Sequence, residues 1–187
     1  MTPAIQHPDA QTERLDLHQP AADDVDAIYA ICGDPRVWTH YPSKRHTERA
    51  QSARDVARWM DGWAANDLDT WIARENVGRT VIGYGGCSLK GGVFWNLGYR
   101  IAATAHGHGY ATELSREAVR RAREADPALP VVAYLLEHNA ASEAVARKLG
   151  MTLVNRGPDA GNPDPAAVRL VYADRPLGEK QLAAVMH

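Results

Sequence analysis

Cysteine is nearly absent from this chain: its 187 residues include only Cys32 and Cys87. The two stand far apart, and neither has a Cys or His at metal-ligand spacing. No zinc site and no disulfide framework is therefore indicated, and both read as core thiols. Long apolar runs are missing too. No stretch approaches the roughly 20 apolar residues that cross a bilayer, and residues 1–11 show no apolar core of a secretory signal. The expectation is a cytoplasmic protein with no membrane partner. Charge of one sign is also scarce. A net charge of -2 gives no electrostatic footprint for nucleic acid, and the basic stretch from Arg116 to Arg123 reads as a solvated helix face.

What is present suits a globular fold, with 45% hydrophobic and 24% charged residues. The length suits one domain, expected over residues 12–175 with short extensions at 1–11 and 176–187. Residues 12–18 alternate Glu13, Leu15 and Leu17 with polar neighbours, as a half-buried strand would. Asp23 and Asp24 precede an apolar helical stripe of Val25, Ile28, Tyr29 and Cys32 that ends at Asp34-Pro35. Thr47 can cap a second amphipathic helix through Val56, Trp59, Met60 and Trp63. The period then changes to strands at 70–74, 81–89 and 94–101, separated by Gly-containing turns. A helix follows over 109–125 with Ala111, Leu114, Ala118 and Ala122 on one face. A buried strand is expected at 131–136, a helix from Asn139 to a stop at Gly150, and last strands at 151–154 and 168–172. The segment 157–165 reads as a loop.

Two stretches carry chemistry. In His106-Gly107-His108-Gly109-Tyr110-Ala111-Thr112-Glu113 a strand, a glycine turn and a helix start follow one another. Such a junction presents unpaired backbone N–H groups and the positive end of a helix dipole, which suits a phosphate. In the second, Asn139 and Ser142 stand three residues apart at a helix start and so share a side of it. Taken alone, Asn139 reads as a cap and Ser142 as an ordinary first-turn hydroxyl.

Together these segments resemble the GCN5-related N-acetyltransferase (GNAT) superfamily, and in particular its ribosomal-protein alanine acetyltransferase-like branch. Gly107-His108-Gly109 occupies the glycine positions of that family's pyrophosphate signature. Asn139, Ser142 and Lys148-Leu149-Gly150-Met151 match its downstream Asn-x-x-Ser helix, and Leu97-Gly98-Tyr99 resembles the strand before the signature. The resemblance spans about Glu13 to Tyr172. It implies an α/β fold of the α+β type: a mixed, largely antiparallel sheet of about six to seven strands flanked by about four helices.

It further implies acetyl-CoA as cosubstrate, no metal, and direct attack of an amine on the thioester. His106, Gly107, His108, Gly109, Tyr110, Ala111 and Thr112 would cradle the pyrophosphate. Main-chain N–H groups near Ile101 and Ala103 would face the pantetheine, exposed where strand 94–101 parts from strand 131–136. Asn139 would hold the pantetheine, and Ser142 would give a proton to the departing thiolate.

The sequence also departs from the family pattern. Thr104 stands at the signature's first Gln/Arg position, and basic phosphate-loop positions are His106 and His108, whose charge depends on pH. A metal on those two histidines would need further ligands. Where many relatives carry a Glu general base the chain has Asn96, which can orient water or substrate but takes up no proton near neutral pH.

The acceptor implied by the branch is a protein or peptide N-terminal amine. A small-molecule amine is the alternative, and a CoA-binding sensor or interaction module with weak chemistry is another. Trp38, Tyr41, Trp59, Trp63 and Trp95 are candidates to line the acceptor pocket. Helical spacing favours the core for Trp59 and Trp63, whereas the Trp38-Thr39-His40-Tyr41-Pro42 loop is placed to meet a ligand. Tyr134 and Tyr172 read as core residues.

Overall fold

Alternating and helical periods both resolve into elements in the computed structural model, which describes residues 8–186. The first strand, β1 (Ala10–Gln11), is followed by β2 (Leu15–His18), α1 (Val25–Cys32), α2 (Arg49–Asn66), β3 (Thr70–Glu75), β4 (Val81–Lys90) and β5 (Phe94–Ile101). Then come α3 (Tyr110–Ala125), β6 (Val131–Leu136), α4 (Ala140–Lys148), β7 (Thr152–Pro158), β8 (Val168–Ala173) and α5 (Glu179–Met186).

The strands form one eight-stranded sheet in the order β1-β2-β3-β4-β5-β6-β8-β7. Every described neighbour pair is antiparallel except β5 with β6. The mixed, largely antiparallel α/β architecture is as expected, with one strand and one helix more than the pattern implied. The added strand is the two-residue β1, which pairs Ala10 with Leu17 and Gln11 with Asp16. The added helix is α5, whose Val185 is buried with Val93, Phe94, Val132, Val171 and Ala173. The C-terminal segment therefore completes the core instead of trailing from it; residues 1–7 of the expected N-terminal extension lie outside the described residues.

Helices cover both faces of the sheet. On one face α3 lays Leu114, Ala118 and Ala122, all fully buried, over β4 and β5, packing with Trp71, Cys87, Trp95, Leu97 and Ile101. On the other, α1 and α2 cluster Ile28, Cys32, Val56 and Trp59 with Ile72 of β3. Helix α2 begins one residue later than expected. Its cap is Glu48, and Gln51 Oε1 accepts the N–H groups of both Thr47 (2.7 Å) and Glu48 (3.0 Å), so Thr47 is held outside the helix.

The close seat of α3 depends on Gly85 in β4. A Cβ added there would stand 2.6 Å from Leu114 Cδ2, 2.6 Å from Tyr99 Cβ and 2.9 Å from the Gly98 carbonyl oxygen. Two of these three obstacles lie in β5 itself, so the crowding cannot be relieved by a side-chain rotation alone. Gly85→Ala is expected to lower stability by about 1–3 kcal/mol, the usual cost of overpacking. Urea denaturation followed by far-UV circular dichroism measures it, and an unchanged midpoint would show that α3 can ride higher on the sheet.

Candidate functional site

Strands β5 and β6 pair only through Trp95 with Val131 and Asn96 with Val132. Beyond Asn96 they part: β5 stays with β4 as far as Ile101, while β6 stays with β8 as far as Leu136. The bond from Ala102 N–H to Ile82 O (2.7 Å) sets the alternation of the β4–β5 ladder. In that alternation the main-chain groups of Tyr99 and Ile101 point away from β4, toward the side where β6 has left. The Ile101 carbonyl accepts from His106 Nε2 at 2.9 Å, whereas Ala103 begins a 3-10 turn past the strand. Of the two positions expected to offer main-chain N–H groups to this opening, Ile101 belongs to the splayed strand and Ala103 to the turn after it.

That turn leads into the glycine loop. Gly107 (φ +80°) and Gly109 (φ +84°) both take the left-handed conformation, so each is a glycine for backbone reasons. Gly109 is the N-cap of α3, and its carbonyl accepts from the N–H groups of Thr112 and Glu113. The first-turn N–H groups of Tyr110 and Ala111 are left without an acceptor inside the helix, as at any helix start.

A clamp that the sequence reading missed fixes this loop to the turn between β1 and β2. Glu113 accepts from Thr12 Oγ1 (2.6 Å), Arg14 N–H (2.8 Å) and Arg14 Nε (2.7 Å), while Arg14 Nη1 donates to the His108 carbonyl at 2.9 Å. The guanidinium also stacks 4.5 Å from the Tyr110 ring, and the Tyr110 hydroxyl donates to Glu75 at 2.8 Å.

The groove beside the loop has a volume of about 580 Å³ and is lined by His106, Gly107, Gly109, Tyr110, Ala111 and Thr112, and also by Asn139, Ser142 and Tyr99. Its charged lining consists of Arg36, Arg100 and Lys148 with no carboxylate, a composition suited to an anionic ligand. Of the residues expected to bind the cofactor, Ala103 and His108 do not line it. His108 instead stacks on Tyr110.

Asn139 caps α4, its Oδ1 accepting the Ser142 N–H at 3.1 Å. The capping role and a binding role are compatible, because the cap uses only the amide oxygen. Ser142 is half-buried beside the Tyr99 phenol. Burial pushes the Tyr99 pKa up and the Ser142 hydroxyl opposes that shift. The Tyr99 hydroxyl itself is buried without a hydrogen-bond partner.

A second cavity of about 580 Å³ opens on the α1–α2 side and is lined by Asn96, Gly98, Tyr41, Tyr134 and Arg169, among others. It shares His40, Tyr99, Arg100, Asn139, Ser142 and Val145 with the first groove, so the two spaces meet at the point where β5 and β6 separate. Asn96 Oδ1 is buried there without a partner.

The aromatics follow expectation in part: Trp59 and Trp63 are core residues, as their helical spacing favoured, but so are Trp95 and Trp38, the latter at 7% exposure. It lies in a 3-10 turn where its Nε1 donates to the Cys32 carbonyl, so only one edge reaches the cavity. Tyr134, expected in the core, is 41% exposed, while Tyr172 is buried with its hydroxyl on Glu143. Cys32 and Cys87 are both buried thiols.

A groove suited to anions thus meets a second cavity where a parallel strand pair parts. The family described as Acetyltransferase (GNAT) domain matches residues 14–152, and the chain belongs to that family. It is an acetyl-CoA-dependent N-acetyltransferase.

Among solved structures, an acetyltransferase from Agrobacterium tumefaciens is similar at 25% identity and a TM-score of 0.72, over 91% of this chain and 95% of that one. RimL, described as a ribosomal L7/L12 alpha-N-protein acetyltransferase in complex with coenzyme A, is 18% identical with a TM-score of 0.72, over 91% and 97%. A ribosomal-protein-S5-alanine acetyltransferase from Vibrio fischeri is 12% identical with a TM-score of 0.70, over 88% and 94%. At such identities the last two likenesses are of fold. No curated protein matches the sequence. Among the described residues no helix is long and apolar enough to cross a membrane.

The clamp at Glu113 has a pH signature. Burial raises the Glu113 pKa, but the bonds from Thr12 and Arg14 outweigh it and hold the carboxyl below its ordinary value. The native state then binds fewer protons than the unfolded chain, so the contribution is full above the unfolded pKa of roughly 4.3 and is lost as pH falls through the folded value. Glu113→Gln should be less stable than the parent at neutral pH, and the difference should shrink on acidification from about pH 5 to pH 3. Urea midpoints across that range test this; a pH-independent difference would mean that the carboxylate charge contributes nothing.

Proposed function

We propose that the chain transfers an acetyl group from acetyl-CoA directly to a primary amine, with a protein or peptide N-terminus as the acceptor and a small-molecule amine as the alternative. The reading rests above all on the meeting of the two cavities at Tyr99 and Ser142, which allows both substrates to be bound at once. The ribosomal-protein acetylases among the structures of similar fold favour the N-terminal acceptor by analogy.

In this reading the N–H groups at the start of α3, with Gly107 and Gly109 leaving the main chain open, hold the pyrophosphate. The Asn139 amide holds the pantetheine. The parted segment of β5 offers main-chain N–H groups at Tyr99 and Ile101 to the pantetheine and to the thioester oxygen, where they stabilise negative charge as the amine nitrogen bonds to the carbonyl carbon. Asn96 orients the amine or a water that carries off its proton. As the carbon–sulfur bond breaks, Ser142 passes its hydroxyl proton to the thiolate and regains one from the water that carries off the amine's proton, and Tyr99 beside it supplies a second hydroxyl to the same corner. The buried thiols of Cys32 and Cys87 take no part.

Isothermal titration with acetyl-CoA tests the cosubstrate site. Gly107→Ala and Gly107→Glu share the strain of a side chain at positive φ, and no atom stands within 4 Å of the added Cβ. The pair therefore separates strain from charge: Gly107→Glu is expected to abolish binding and Gly107→Ala to weaken it. Equal behaviour of the two would deny that an anion lies there. Ser142→Ala should keep the acetyl-CoA Kd within about twofold and lower kcat by about 10²-fold, the low end for loss of a general acid. An unchanged kcat would remove Ser142 from the reaction.

A further inference from the structure

Strand β5 puts Asn96, Gly98 and Arg100 on the sheet face toward α1 and α2, opposite the face that carries Leu97 and Ile101 to α3. Arg100 is the one residue of these three with a fixed charge, and its surroundings do not neutralise it. Its guanidinium lies 4.0 Å from the centre of the Trp38 ring, and its Nη1 donates to His40 Nε2 at 3.0 Å. Burial, followed by the charge of Arg100 and that of His138, pushes His40 down to about 4, so its imidazole is neutral at physiological pH. The nearby Tyr84 phenol is pushed up by burial and is neutral as well.

The carboxylates bordering this side are engaged elsewhere. Asp55 Oδ1 is 2.6 Å from Arg58 Nη2, and Asp159 Oδ1 is 2.5 Å from Arg169 Nε. Among the described residues Arg100 forms no ion pair, and its Nε is buried without a hydrogen-bond partner. Lys44, at the exposed mouth of the same cavity, approaches only the Tyr41 ring.

A guanidinium held partly out of water without a counter-charge is costly unless an anion completes its site. Arg100 lines both the groove and the second cavity, on the sheet face toward α1 and α2, whereas the glycine loop lines the groove alone. Arg100 follows Tyr99 directly, whose main chain faces the point of transfer. An anion on Arg100 would therefore lie in the cavity that meets the groove at Tyr99 and Ser142.

We propose that the acceptor is an amine bearing a carboxylate close to its amino group, and that Arg100, assisted by Lys44, holds that carboxylate. The inference rests on the direct-transfer reading above. Its chemistry fits two sources, the α-carboxylate of a free amino acid and the side chain of an acidic first residue of a peptide.

The test compares acceptors matched except for charge: free glutamate against its α-carboxamide, and a peptide beginning with Glu against the same peptide beginning with Gln. With thiol release as readout, at least one pair should favour the carboxylate by about tenfold or more in kcat/KM, chiefly through the acceptor KM. Which pair does so identifies the source. Arg100→Gln should bring the ratio close to one, Arg100→Lys should retain part of it, and Lys44→Gln should reduce it less. The acetyl-CoA KM should move little in Lys44→Gln, and in the two Arg100 variants it should move less than the acceptor KM.

Equal turnover of charged and neutral partners by the unmodified enzyme would overturn the proposal, and needs no variant to be folded. A preference that survives in Arg100→Gln, or a loss that appears instead in the acetyl-CoA KM, would overturn it too. Acetyl-CoA binding without transfer to any amine would bring down the direct-transfer reading and this inference with it.

Discussion

Everything at the candidate site depends on β5 and β6 pairing for two residues and then separating. A sheet normally satisfies its main-chain groups laterally, and unpaired groups buried from water are costly. Here β4 continues to hold β5 on one side, and β8 continues to hold β6 on the other. The unpaired main-chain edge is thus confined to the inside of the gap, where solvent or a ligand can reach it. The rest of the architecture keeps the gap in shape. Helix α3 grips β4 and β5 from one face, and the start of α4 borders the opening through Asn139 and Ser142. The His138 Nε2 donates to the His40 carbonyl at 2.8 Å, joining the segment after α1 to the segment before α4 across the top.

Most of this fold was legible in the sequence, because its elements obey simple periods. Leu114, Ala118 and Ala122 at four-residue spacing announced the buried face of α3, and the glycine turns marked the ends of β3, β4 and β5. The two unread elements were those with the weakest local signals. β1 has two residues, too few to show alternation, and α5 is an eight-residue helix whose burial is decided by a hydrophobic patch formed by β5, β6 and β8. Tyr134 was misplaced for a related reason. An apolar run resembles a strand buried on both faces, but one face of β6 borders a cavity.

At the site, the groups joined by contiguous sequence were the readable ones. Gly107, Gly109, Asn139 and Ser142 declare themselves through turn and cap chemistry. The Arg14–Glu113 clamp could not be read, since it joins residues 99 apart through tertiary contact. Arg100 and His40 are separated by 60 residues, and neither stands out until the fold brings them to the same cavity. One hint was available: in β5 the residues that alternate with Trp95, Leu97, Tyr99 and Ile101 are Asn96, Gly98 and Arg100, a polar alternation that marks the face left open by the helices.

The amide at position 96 and the guanidinium at position 100 make physical sense as a pair. A carboxylate at 96 would serve as a base for a neutral amine, but it would share one face of β5 with Arg100 and place a negative charge in the same cavity. That charge would compensate the guanidinium in part and repel an anionic acceptor. Asn96 leaves the field of Arg100 undiminished while keeping a hydrogen-bonding group near the transfer point. With Asp55 and Asp159 already bound to arginines, the cavity retains an uncompensated positive charge, and it retains it beside the residue whose main chain faces the point of transfer. On the acceptor reading proposed above, the absence of a fixed base and the presence of a cationic acceptor site are two consequences of the same pattern in one strand: the amine sheds its proton through ordered water, and its position comes from the anion held next to it.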